Sequence, residues 1–220
     1  MKTILLSFTL GASLLAISCK RRPDPHHPLV PEANAADLTV LTPPAVSPAV
    51  EKSVREKGDA IAAEAFGVLS SRLGNAIADA GLTNAIEFCS VHGIAFNAAV
   101  GVTNRVVLRR VTHRPRNSQN RADTNEINII RRFESELSQG TTPKPVVAMS
   151  SPDIVTYYAP IVLKLPLCLS CHGQPQTDIK PGVLVNLSKT YPNDEAKGFK
   201  LGQVRGLWRV DFKQSDFAQP

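Results

Sequence analysis

What most narrows the possible fates of this chain is the placement of its four cysteines, Cys19, Cys89, Cys168 and Cys171. In Cys168-Leu169-Ser170-Cys171-His172, two thiols stand three residues apart and an imidazole follows the second directly. That spacing sets all three groups beside one face of a single ring. C-x-x-C-H is the attachment signature of c-type haem, in which the thiols add across the porphyrin vinyl groups and the adjacent His coordinates the iron. C-x-x-C also occurs in zinc sites and thioredoxin-like redox pairs. A zinc site needs further ligands at matching spacing, and the sequence has no second pair. A thioredoxin motif opens a helix after a strand within a βαβ pattern, which is missing here. A Cys168–Cys171 disulfide would close so short a loop that it gains little.

The N-terminus reads as a processing segment. Lys2 precedes an apolar run from Ile4 to Ile17 that ends at Ser18-Cys19, the layout of a secretory signal. At about fourteen residues the run is short for a bilayer span. Leu15-Ala16-Ile17-Ser18-Cys19 resembles the lipobox of bacterial lipoproteins, with Ala16 where Leu is usual. The expectation is cleavage after residue 18, acylation of Cys19 and a periplasmic or cell-envelope location. Covalent haem attachment in bacteria takes place outside the cytoplasm, so export and the C-x-x-C-H motif agree.

After Cys19 come Lys20-Arg21-Arg22 and prolines recurring from Pro23 to Pro48, with few large apolar residues. Residues 19–48 therefore read as a lipid-anchored, Pro-rich linker, in which His26-His27 is assigned no role. The basic triplet can also attract anionic head groups. Over the whole chain, 25 Lys and Arg against 19 Asp and Glu give a net charge of +6, which admits an acidic partner. The basic residues are not interleaved with stacking aromatics, so nucleic acid is not expected as a partner.

Residues 49–220 are expected to form the folded domain. Ser47-Pro48 gives an N-cap and first-turn signal, and a helix is predicted to Ala80 with Ile61, Ala65, Leu69, Leu73 and Ile77 on its apolar face. Gly81 ends it, and Thr83 opens a second helix carrying Ile86, Cys89, Gly93 and Phe96 on one side. The pattern then predicts a strand at 106–112, a loop at 113–123, a helix at 124–137, strands at 146–149 and 154–163, a turn-rich segment, and a closing strand at 203–212. Helices followed by strands interrupted by one helix predict an α+β fold with an antiparallel sheet.

With Cys19 assigned to lipid and Cys168 and Cys171 to thioethers, Cys89 is left as an unpaired thiol in an exported protein. It could be a buried small hydrophobe or a second axial ligand to iron. His92, His113 and Met149 compete for that role, and the residues alone leave the choice open.

Four segments occur in one order: Ala85-Ile86-Glu87-Phe88-Cys89-Ser90, Arg114-Pro115-Arg116-Asn117-Ser118-Gln119-Asn120, Tyr158-Ala159-Pro160-Ile161 leading to Cys168-Leu169-Ser170-Cys171-His172-Gly173, and Tyr191-Pro192-Asn193-Asp194-Glu195-Ala196-Lys197-Gly198-Phe199. Together they resemble the family of c-type haem, PAS-like sensor domains first defined as a domain of unknown function in cyanobacteria. The resemblance covers residues 50–213. It implies a PAS-like core with N-terminal helices folded against it, haem c held by Cys168 and Cys171, and iron bound by His172 and Cys89. Arg114, Arg116 and Asn117 would meet the haem propionates, since Arg offers paired donors to carboxylates. Members of this family often precede a membrane span and a kinase or cyclase; here output is expected to pass to a separate redox or signalling partner.

His/Cys ligation fills both axial positions and favours ferric iron. On reduction the sulfur could leave and open a position for a diatomic gas. A sensor of redox state or gas is therefore expected, with a low-potential electron carrier as the alternative. An enzyme is disfavoured, because no carboxylate pair, nucleophile triad or open metal site stands out.

Overall fold

The computed structural model describes residues 45–217. The signal, Cys19, the basic triplet and nearly all of the linker lie outside them.

The described chain begins with α1, Pro48–Asn104, whose first turn is capped by Ser47 and started by Pro48. Gly81 interrupts the helix at φ 76° and ψ 176°, a conformation open only to glycine. The interruption makes two arms, 48–80 and 82–104, divided where the sequence predicts. Asn104 Nδ2 donates to Glu64 Oε2 at 3.0 Å, tying the end of the second arm to the middle of the first.

Then follow β1 Val107–Val111, a 3-10 turn Ser118–Asn120, α2 Thr124–Ser138, β2 Val146–Ser151, β3 Ile154–Val162, α3 Pro166–His172, α4 Pro181–Thr190, β4 Val204–Lys213 and a 3-10 turn Gln214–Phe217. The strands form one antiparallel sheet in the order β1-β4-β3-β2. The last strand thus inserts between the first and the third. The α+β class and each expected strand are observed. Helix α4 is an addition, lying in the segment expected to be turn-rich.

Side chains alternate across the sheet with the period of two that strands impose. On one face Tyr157, Val155, Trp208, Val210 and Phe212 pack against Val54, Ile61 and Ala65 of the first arm of α1. On the other, Tyr158, Val204 and Leu207 pack against Ile130 and Phe133 of α2. That second face also buries an ion network. Arg209 Nη1 donates to Glu126 Oε1 at 2.9 Å and its Nε to Asp211, while Thr156 donates to Asp211 at 2.7 Å. Glu126 closes a capping box with Asp123 at the start of α2 as well, which satisfies two helix N–H groups.

Two smaller clusters lie beyond the end of β3. Ile86 of the second arm meets Ile179, Val183 and Leu187, with Leu82, Cys171 and Tyr191 beside them. Leu163, Ala196 and Phe199 form the other cluster, against Cys168 and Leu169. Helix α3 stands between the two.

Candidate haem-binding site

Strand β3 delivers the chain through Leu163 to α3, which Pro166 starts in its first turn. Cys168 and Cys171 lie one helical turn apart and face the two clusters just described. Cys89, Cys168 and Cys171 all carry free thiols. His172 is the last residue of the helix.

A return segment, residues 194–199, runs along the end of α3 and fixes it. Gly198 N–H donates to Gly173 O at 2.8 Å and Phe199 N–H to His172 O at 2.9 Å. His172 Nδ1 lies 2.8 Å from Ala196 O. A carbonyl can only accept, so Nδ1 carries the proton and Nε2 keeps its lone pair. The ring also meets Phe199 edge-on, with centroids 6.3 Å apart. Burial, then the like charges of Arg205 and Arg116, hold the imidazole well below its usual pKa. It is therefore neutral near pH 7, the form that ligates a metal.

Gly173 is required by close approach. A Cβ there would lie 2.5 Å from Asp178 Cβ and 2.7 Å from Leu169 O.

Of the four residues weighed as a distal ligand, Cys89 lies on the part of α1 that packs near the motif: Ile86, one turn before it, shares a cluster with Cys171. Burial raises the Cys89 thiol pKa, while Arg110 and then Arg116 oppose the rise. His92 is exposed, with its ring between Phe88 and Phe96. His113 approaches Glu134 of α2 at 3.7 Å. Met149 joins the core on the α1 face of the sheet.

The arginine loop is found at the motif, but its donors are engaged by protein. Arg116 reaches Asp194 Oδ2 at 3.2 Å, Cys171 O at 2.5 Å and Ala196 O at 3.3 Å. Arg114 donates to Glu195 O at 3.2 Å and also to Lys197 O, with its guanidinium 4.0 Å from the Phe199 ring centre. Asn117 caps the 3-10 turn by accepting from Gln119 N–H at 3.0 Å. Asp194, whose side chain is enclosed, pairs with Arg116 and with Lys197 at 3.0 Å. These arginines thus brace the segment that aims His172.

Sequence reasoning missed Ala196 O, Arg205, Phe199 as a ring neighbour and the support from α4. Pro181 at the start of α4 with Val183, Leu184 and Leu187 at helical spacing was a readable signal for that helix. A backbone carbonyl leaves no such mark.

The donor set fits a c-type haem: two free thiols one turn apart, a neutral imidazole with Nε2 available, a further half-buried sulfur on the second arm of α1, and buried cationic groups suited to carboxylates. Among the described residues, no group of three or more His, Cys, Asp or Glu side chains converges as a metal-ion cage would.

Comparison with known proteins gives a consistent picture. The sequence matches the family described as Tll0287-like over residues 36–212. The structure is similar to that of the cyanobacterial heme-protein Tll0287, with a TM-score of 0.52 and 18% identity, covering 77% of this chain and 98% of that one. At that identity the likeness speaks for the fold. No curated protein matches the sequence.

Proposed function

Because the chain belongs to the Tll0287-like family, we propose that it is an exported, membrane-tethered c-type haem protein that senses redox state or a diatomic gas. Cys168 and Cys171 would hold the haem through thioethers, and His172 Nε2 and Cys89 Sγ would be the groups that bind its iron. The observation that carries this reading is the end of α3, where two free thiols, Cys168 and Cys171, lie one turn apart beside a His172 whose Nδ1 is held by Ala196 O, with Ile86, one turn before Cys89, packed in the cluster that Cys171 joins. The match to a heme-protein in fold supports it. Four antiparallel strands flanked by helices are consistent with a PAS-like core.

When bound, the haem supplies one-electron redox chemistry and, once an axial position opens, a binding site for a small gas. The protein's part is asymmetric. His172 is braced by Ala196 O and Phe199 and stays in place. Cys89 rides on an arm that starts at the Gly81 break and rests on α4 through Ile86. If one electron from a redox partner reduced the iron and the Cys89 thiolate took up a proton from solvent, its sulfur would leave and that arm would loosen, a change a redox or signalling partner would read. The lipobox-like sequence before Cys19 supports anchoring by lipid in the cell envelope.

The test uses the full chain produced in a host with haem-attachment machinery. Haem retained after denaturation, and lost in Cys168→Ala and Cys171→Ala, establishes attachment. A ferric low-spin thiolate resonance abolished by Cys89→Ala, with carbon monoxide binding after reduction, supports the sensor. An unchanged resonance removes Cys89 from the iron. If reduced protein keeps both ligands and refuses carbon monoxide, the chain is an electron carrier. A Cys19→Ala protein still held in the membrane fraction rules out the lipid anchor.

A further inference from the structure

We propose that Arg205 and Arg110, and not Arg114 and Arg116, receive the two propionate carboxylates of the haem, an inference that rests on the haem reading above. The reason lies in which donors are already occupied. Arg114 and Arg116 direct Nε and Nη2 onto Asp194 and the carbonyls of Cys171, Glu195, Ala196 and Lys197. Those bonds build the return segment behind His172. Withdrawing them to hold a ligand would release the carbonyl that aims the imidazole.

Arg205 and Arg110 are placed differently. The Nε of each is closed off from solvent and has no hydrogen-bond partner. Arg205 uses Nη1 on Thr112 Oγ1 at 3.1 Å and Arg114 O at 3.2 Å, and Arg110 uses Nη2 on Gly93 O at 2.9 Å. Each therefore keeps a buried N–H on a charged group with nothing to accept it, and native structures rarely leave such donors unmatched. Their planes are held by aromatic rings: Arg205 stands 5.5 Å from the centre of Phe199 and Arg110 6.0 Å from that of Trp208.

The charge balance also calls for an anion. Arg205 feels Arg116, Arg110 and Arg114 as like charges, with Asp194 opposing. Asp194 is already shared between Arg116 and Lys197. A buried cluster of like charges is unfavourable unless negative charge enters it. Position agrees with a porphyrin between the two axial candidates: Arg205 stands over Phe199, the ring that meets His172 edge-on, and Arg110 donates to Gly93 O, one turn beyond Cys89 on the second arm. A dicarboxylate porphyrin held there meets one guanidinium from β1 and one from the start of β4.

The experiment titrates the full apoprotein with ferric haem and with its dimethyl ester, in which both carboxylates are capped, following quenching of Trp208. Wild type should bind haem more tightly than the ester by about tenfold or more. Arg205→Gln and Arg110→Gln should each bring that ratio toward one by weakening haem and sparing the ester. Arg114→Gln should keep the ratio while weakening both ligands alike. Arg205→Lys, which retains charge without the Nε–H, should fall between and serves if the Gln variant does not fold. An undiminished ratio in the Arg205 and Arg110 variants, or no preference in wild type, overturns the proposal. If wild type takes up neither ligand and acquires no covalent haem in the attachment host, the haem reading fails, and this inference with it.

Discussion

His172 Nδ1 donates to the carbonyl oxygen of Ala196 at 2.8 Å, and that one bond ties the proposed iron ligand to a segment 24 residues further on. Ala196 is held in turn by its own N–H on Asp194 Oδ1 at 2.8 Å. Asp194 is held by Arg116 and Lys197. The orientation of the imidazole thus depends on a carboxylate that never touches it.

Asp194 should accordingly govern acid stability. Burial opposes its ionisation, but Arg116, the Ala196 N–H and Lys197 outweigh burial and hold the carboxyl below its ordinary pKa. The unfolded chain then binds the proton more readily, at about pH 4. The stabilisation is present above that pH and lost as pH falls through the lower folded value. Urea unfolding should show this decline in wild type and a shallower one in Asp194→Asn, which should also lose about 1–3 kcal/mol at pH 7.

Gly173→Ala tests the tight path after the motif. Its Cβ would press on Asp178 and on Leu169 O, so the end of α3 must shift, at a cost of about 1–3 kcal/mol. Thermal unfolding should report the loss, and covalent haem yield should drop with it.

Leu187→Ala removes a side chain with no solvent exposure from the cluster that seats the second arm of α1 on α4. The cavity should cost about 2–5 kcal/mol. Because Cys89 follows Ile86 on that arm, the thiolate resonance of the ferric protein should broaden or shift. An unchanged spectrum in a destabilised variant would separate the arm's packing from iron ligation.

Glu126→Ala lies on the opposite face of the sheet. It strips Arg209 of one of its two carboxylate partners and opens the capping box of α2. A loss of about 3 kcal/mol is expected, with haem spectra unaltered. A change in those spectra would mean that the α2 face is coupled to the site.

Much of this was legible in sequence because it is local. Gly81 marks the break in α1, since few other residues adopt φ 76° with an extended ψ. Ser47-Pro48 marks the helix start, and runs rich in β-branched and aromatic residues at 154–163 and 203–212 mark the two central strands. The spacing of Cys168, Cys171 and His172 marked them as the candidate haem-attachment groups, and the helical spacing of Ile86 and Cys89 put the fourth thiol on the half-buried side of α1. The arginine loop lies beside the motif, where Arg114 and Arg116 donate to Asp194 and to backbone carbonyls. Arg114 and Arg116 look like ligand-binding groups because their donors are visible in sequence, whereas the carbonyls that occupy them are not.

What the sequence determined by itself was therefore the set of elements, the α+β class and the identity of the reactive groups, all of which follow from near-neighbour spacing and backbone preference. Tertiary structure decided which groups meet. β4 enters the middle of the sheet, bringing Arg205 near a motif more than thirty residues upstream; α4 seats the second arm through Ile86 in the cluster that Cys171 joins; and the 194–199 return segment supplies the carbonyl for His172. These pairings depend on long-range burial and on which backbone acceptors remain free after folding, and neither has a signature in the order of residues along the chain.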